Sequence, residues 1–161
     1  STIWKKNMIK KVFVDSDIVL DVLCKRIPYY EYAAKIFSLA DMKKLTVYTT
    51  SLVVANVYYI LRKAIGIEKS KEALRKLRLL VHIISIQERE VDIALNSSFA
   101  DFEDALQYYT AIKHGMETLL TRNIKDYKEK DLIIQTPEQF IKGSFLESAG
   151  SKNGRIENSR R

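Results

Sequence analysis

Lys11-Val-Phe-Val-Asp15-Ser-Asp17-Ile-Val-Leu-Asp21 decides how this chain is read. Val12, Phe13 and Val14 form a short apolar run without polar alternation, the pattern of a strand covered on both faces, and the run closes on an acid. Apolar residues then fall at 18, 19, 20, 22 and 23, a helical pattern too dense for a surface helix. An acid at the junction of a buried strand and an apolar helix is poorly placed for solvent, so Asp15 is the first candidate functional residue.

The alternation continues outward. Pro28 fits the first turn of a second helix that carries Tyr32, Ala33, Ile36, Phe37 and Ala40 on one face. Residues 45–49 read as a strand. Thr50 or Ser51 caps a long helix that runs to Ile65 and stops at Gly66. Residues 69–80 form a basic amphipathic helix, 82–86 a strand, and 88–97 and 101–114 two further helices. Residues 117–121 and 132–135 are the last strands, separated by a turn at 123–127. Thr136-Pro137-Glu138-Gln139 starts a final helix, with a cap, a first-position proline and a Gln placed to reach back. Strands alternating with helices imply an α/β fold in three layers, a central, mostly parallel five-stranded sheet with helices on both faces.

Met8 opens a natural-looking segment, so residues 1–7 are expected to be an extension, 8–142 the domain, and 143–161, where Ser, Gly, Asn and Arg dominate, a disordered tail. At 161 residues with 47% hydrophobic and 29% charged residues, one domain needs no disulfide or structural metal to fold. The single cysteine, Cys24, excludes an internal disulfide, points to a reducing, cytoplasmic setting, and is expected to act as a small buried hydrophobe. No apolar run is long enough to span a membrane, and Ser1 to Lys11, with lysines but no long apolar core after them, are not expected to be a secretory signal. The formal charge of +7 favours polyanionic partners.

In an open parallel sheet the active crevice lies at the carboxyl ends of the strands. Asp15 and Asp17 follow the first strand. Thr121, Arg122, Asn123 and Asp126 follow the fourth, and Asp101 and Asp104 open the helix before it. Such acids repel one another unless a cation joins them, and hard oxygen ligands select Mg²⁺ or Mn²⁺, which can activate water for attack on phosphorus. Each acid also has a structural role open to it: Asp101 and Asn123 as helix caps, Asp104 and Asp126 as first-turn acids, Asp17 and Asp21 as solvated groups.

VFVDSDIVLDVL, TTSLVVANVYYILRK, DFEDALQYYTA and LLTRNIKDY occur in the order and spacing of the PIN-domain family, which includes the toxin ribonucleases of toxin–antitoxin pairs, and the resemblance spans about residues 8–142. It implies that Asp15, Asp104 and Asp126 are catalytic, metal-holding carboxylates, with Thr121 and Asn123 in support and Asp17 and Asp101 as accessory acids. Family members commonly place a Glu near Asn56; the amide here can touch a metal or its water but adds no charge. The resemblance further implies a metal-dependent endoribonuclease acting on RNA, a small antitoxin partner and a possible homodimer. A PIN-like module that binds RNA or protein without cutting is the alternative. Asp15-Ser16-Asp17 also resembles the nucleophile motif of haloacid-dehalogenase-type phosphatases, although Ile18-Val19 stands where that family has Gly-Thr.

Arg62, Lys63 and Arg122 are candidate nucleic-acid contacts. Arg62 and Lys63 belong to a basic stretch with Lys69, Lys71, Arg75, Lys76 and Arg78 that serves either as phosphate contacts or as a solvated helix face. Tyr29, Tyr30, Tyr32, Tyr58 and Tyr59 either stack on bases or belong to the core or a dimer face. His82 and His114 read as structural.

Overall fold

The computed structural model describes residues 8–129 and 131–146. In chain order the elements are β1 (Lys10–Val14), α1 (Ser16–Leu23), α2 (Tyr30–Asp41), β2 (Leu45–Thr50), α3 (Ser51–Ile65), α4 (Ile67–Arg78), β3 (Val81–Ile84), α5 (Glu88–Leu95), α6 (Phe102–Lys113), β4 (Thr118–Leu120), a 3₁₀ turn (Ile124–Asp126), β5 (Ile133–Gln135), α7 (Pro137–Ile141) and a π-helical turn (Lys142–Leu146).

The strands form one sheet in the order β3-β2-β1-β4-β5, and every pairing is parallel. β1 sits at the centre, so its residues must be apolar on both faces, and Val12, Phe13 and Val14 are fully buried. Their side chains divide between two cores. Val12 and Val14 join Ile18, Val19, Ile36, Val53, Val57 and Leu120 on the face covered by α1 to α4 and α7. Phe13 joins Tyr108, Ala111, Leu119, Tyr127 and Leu132 on the face covered by α6. The chain leaves β1 towards β2 and β3 on one side and returns to β4 and β5 on the other. The strand order therefore reverses between β1 and β4, and the crevice at such a switch point is where open α/β sheets bind ligands.

Register fixes what meets there. Val14 pairs with Leu120, and Asp15 N donates to the Leu120 carbonyl at 3.1 Å. Asp15 and Thr121 are thus the first residues past two adjacent strand ends. Caps follow the sequence signals: Thr50 accepts from Val53 N, Gly66 ends α3 at φ 84°, and Thr136 with Gln139 forms a reciprocal capping box.

Three local expectations need correction. Pro28 is not in the first turn of α2; the chain reverses at Lys25 (φ 48°), and Tyr29 is the residue before the helix. Cys24 is exposed, because α1 ends at Leu23 and Cys24 lies past its last core-facing turn. α4 begins at Ile67, directly after Gly66, with no intervening loop. The expected extension at 1–7 and most of the expected tail lie outside the described residues; of the tail's start, Phe145 packs on the Phe140 ring at 5.9 Å between centroids. No helix among the described residues is long and apolar enough to cross a membrane.

Candidate metal-dependent active site

Asp15 is buried and accepts three hydrogen bonds. Ser16 N donates to Oδ1 at 2.7 Å, and the hydroxyls of Thr121 and Tyr127 donate to Oδ2 at 3.1 and 3.3 Å. Burial nevertheless pushes its pKa up to about 6, helped by the charge of Asp17 and opposed by those hydrogen bonds. Asp104, in the first turn of α6, faces the same point: the Tyr127 hydroxyl also lies 3.3 Å from its Oδ1. Burial raises Asp104 to about 7, and the charges of Asp15, Asp101 and Asp126 add to the shift. Two carboxylates from segments 89 positions apart are thus bridged by one hydroxyl, whose single proton can serve only one of them at a time. The Tyr127 phenol is itself held strongly in its protonated form by burial and by the two acids.

Asp126 closes the 3₁₀ turn and is exposed. It lines an open pocket of about 430 Å³ with Asp101, Lys125 and Lys128. Asp101 caps α6, accepting from Asp104 N at 2.9 Å, so its structural role is realised at the mouth of the same site. Among the described residues no group of three or more His, Cys, Asp or Glu side chains is close enough to hold a metal ion by itself. The inner pair is therefore Asp15 and Asp104, with Asp101 and Asp126 acting on it through space.

The supporting residues divide. Thr121 bonds Asp15 directly, and Asn123 N donates to the Thr121 hydroxyl at 3.1 Å. Asp17 is not solvated. It accepts from Arg122 N at 2.9 Å and ties the start of α1 to the loop after β4, with its own pKa raised by burial. Asn56 donates its amide to Glu103 Oε2 at 2.9 Å, so its side chain engages an acid on the neighbouring helix.

Arg122 is committed elsewhere than to solvent. Its Nε lies 2.9 Å from Oδ2 of the buried Asp21, a charge pair without hydrogen-bond alignment, and its guanidinium sits 4.0 Å over the Tyr29 ring. Arg62 and Lys63 lie in the last turn of α3, roughly 16 Å along the helix from its start at the sheet's carboxyl edge. They do not flank the acids. Sequence reading missed two roles. Tyr127 was visible only as the residue after Asp126 in an Asp-Tyr pair, and nothing local marked Asp21 as the buried partner of Arg122.

Residues 11–125 match the family model described as PIN domain, and the chain belongs to that family. It is 29% identical over 136 residues to Ribonuclease VapC1 of Aquifex aeolicus, a likeness covering 81% of this chain and 93% of that protein. The fold is similar to that in the crystal structure of VapBC2 from Rickettsia felis bound to a DNA fragment from their promoter (TM-score 0.61, 21% identity, 78% of this chain and 98% of that one). It is also similar to Mycobacterium tuberculosis VapC20, a Sarcin-Ricin loop cleaving toxin (TM-score 0.54, 18% identity, 67% of this chain and 86% of that one).

Proposed function

We propose that this chain is a divalent-metal-dependent endoribonuclease and the toxin of a toxin–antitoxin pair. One observation carries the reading: Asp15 and Asp104 are brought together at the strand-order switch of a PIN-family sheet, both with raised pKa and, among the described residues, with no cationic side chain as a hydrogen-bond partner. The similarity to Ribonuclease VapC1 over 93% of its length supports the substrate class.

The donor set fits Mg²⁺ or Mn²⁺. Hard carboxylate oxygens suit these ions, and Mg²⁺ is commonly held by one or two carboxylates while keeping several waters, which accords with an inner pair rather than a closed cage. Asp15 and Asp104 would hold the ion, with Asp126 and Asp101 reaching its waters. A bound ion supplies an activated water and neutralises charge on the phosphate under attack. Thr121 and Tyr127 hold Asp15 in place from the side, while Asp17 fastens the loop that carries Thr121 and Asn123. A small antitoxin that covers this crevice, and action in the cytoplasm, complete the proposal.

Single-stranded RNA incubated with the protein should be cut with Mg²⁺ or Mn²⁺, leave 5′-phosphate ends, and survive in EDTA. Asp104→Asn should lower the rate about 100-fold or more, at least the upper end of what outer-shell losses cost at metal sites. Cleavage that persists in EDTA would rule out the metal-dependent reading, and RNA binding without any cleavage would favour the non-cutting module.

A further inference from the structure

A second pocket opens on the other side of the loop after β4, and its chemistry differs from that of the acid site. It encloses about 460 Å³, within the range of small-ligand sites, and is lined by Tyr29, Tyr32, Arg122, Asn123, Pro137 and Glu138 among others. We propose that it is a nucleobase subsite, holding the base of a nucleotide next to the phosphate that is cut. This inference rests on the ribonuclease reading above.

Four observations lead there. First, the pocket joins the acid site directly: Asn123 N donates to the Thr121 hydroxyl, and that hydroxyl donates to Asp15. Thr121 and Asn123 are two residues apart, a chain span of about 7 Å, so a strand with its phosphate at Asp15 can place an adjacent base in the pocket. Second, the cations at the pocket are already paired with acids. Arg122 faces buried Asp21 at 2.9 Å, and the two lysines over the Tyr32 ring, Lys35 and Lys142, pair with Glu31 and Glu138. Third, it suits a flat aromatic ligand with polar edges. Tyr29 is 46% exposed, and one face of its ring is already occupied by the Arg122 guanidinium at 4.0 Å. A rigid, pre-stacked platform of this kind needs little ordering when a base arrives. The Asn123 amide, the Thr136 hydroxyl and the Glu138 carboxylate offer donors and acceptors around the rim. Fourth, Lys142 pairs with Glu138 at 2.7 Å, which sets a donor beside that acceptor at the rim.

Arg122 thereby acquires a different part from the one expected of a surface cation. It does not neutralise phosphate; it fixes the tyrosine against which the base lies.

The test uses the full chain and single-stranded RNA in which an abasic nucleotide is stepped along the strand around the cut. One position beside the cleaved bond should raise KM about 5- to 150-fold, the loss expected for one stacked base, with kcat within about twofold. Tyr29→Ala should produce the same rise on intact RNA, Tyr29→Phe should retain wild-type KM, and Tyr29→Ala should lose nothing further on the abasic strand. A 2-aminopurine at that position should be quenched on binding wild-type protein in EDTA and not on binding Tyr29→Ala. The EDTA arm reads the pocket even if no cleavage occurs, so a failure of the ribonuclease reading is seen separately, as wild-type protein that leaves RNA intact with metal present. Wild-type KM in Tyr29→Ala, unaltered quenching, or losses that multiply in the combined experiment would overturn the proposal. So would abasic strands that bind and are cut like intact RNA at every position.

Discussion

Removing the guanidinium of Arg122 should destabilise the protein through a residue far away in sequence. The Asp21 side chain is 1% exposed and that of Arg122 27% exposed, with 2.9 Å between Oδ2 and Nε. Burial already raises the Asp21 pKa despite this cation. Arg122→Ala leaves the buried carboxylate with the smaller influence of Arg26 as its counter-charge; stripping a fully buried pair of one partner costs about 3–5 kcal/mol. The charge of Arg26, the partial exposure of Arg122 and the poor alignment of the pair place the expected loss at or below the lower limit of that range, about 2–3 kcal/mol. For a chain of this size that corresponds to a fall in Tm of about 4–12 °C. Arg122→Met with Asp21→Leu removes both charges and should recover most of the loss, giving a coupling of about 2 kcal/mol in a double-mutant cycle read by urea denaturation. Additive losses, or an Arg122→Ala protein as stable as wild type, would refute the view that this pair clamps the loop after β4.

Other outcomes follow from the same geometry. The folded pKa of Asp15, about 6, lies above its ordinary 3.8, so between those values the native state keeps a proton that the unfolded chain has released. Its contribution to stability is therefore lost as pH rises through that window, about 3 kcal/mol by pH 8 in EDTA, and urea denaturation of Asp15→Asn should show a correspondingly flatter pH dependence. Tyr127→Phe removes the donor shared by Asp15 and Asp104; the two carboxyls should titrate higher by about one unit summed over the pair, visible in carboxyl NMR shifts of the metal-free protein. Asn56→Glu sets a carboxylate against Glu103 where a 2.9 Å hydrogen bond now stands. It should lower metal-free stability by about 0.5–1 kcal/mol while tightening Mn²⁺ binding by calorimetry, and adding Glu103→Gln should restore both to near wild type by exchanging the roles of amide and acid.

The sheet was legible because its signals are local: a short Val-Phe-Val run, β-branched and aromatic without polar alternation, fits a strand covered on both sides, and caps such as Thr50, Gly66 and Thr136 mark where helices begin or end. Asp15 stood out for the same reason, as an acid where burial was already implied. The polar partnerships were not legible. The Tyr127 hydroxyl between two acids, Asn56 on Glu103 and Arg122 on Asp21 each join segments brought together only by the register of β1 against β4 or by helix packing. No periodicity records which polar tips then meet. Asp17 shows the limit most clearly: from sequence it is either an accessory acid or a solvated one, and in the fold it fastens a loop through a backbone N–H.

The central claim is that Asp15 and Asp104 form the inner pair of a divalent-metal site, with Asp126 at its edge. Crystals soaked in Mn²⁺ and measured for anomalous scattering test this most directly. A peak is expected between the Asp15 and Asp104 carboxylates, absent from Asp104→Asn crystals. No peak there in wild-type crystals, or one that persists unchanged in Asp104→Asn, would contradict it.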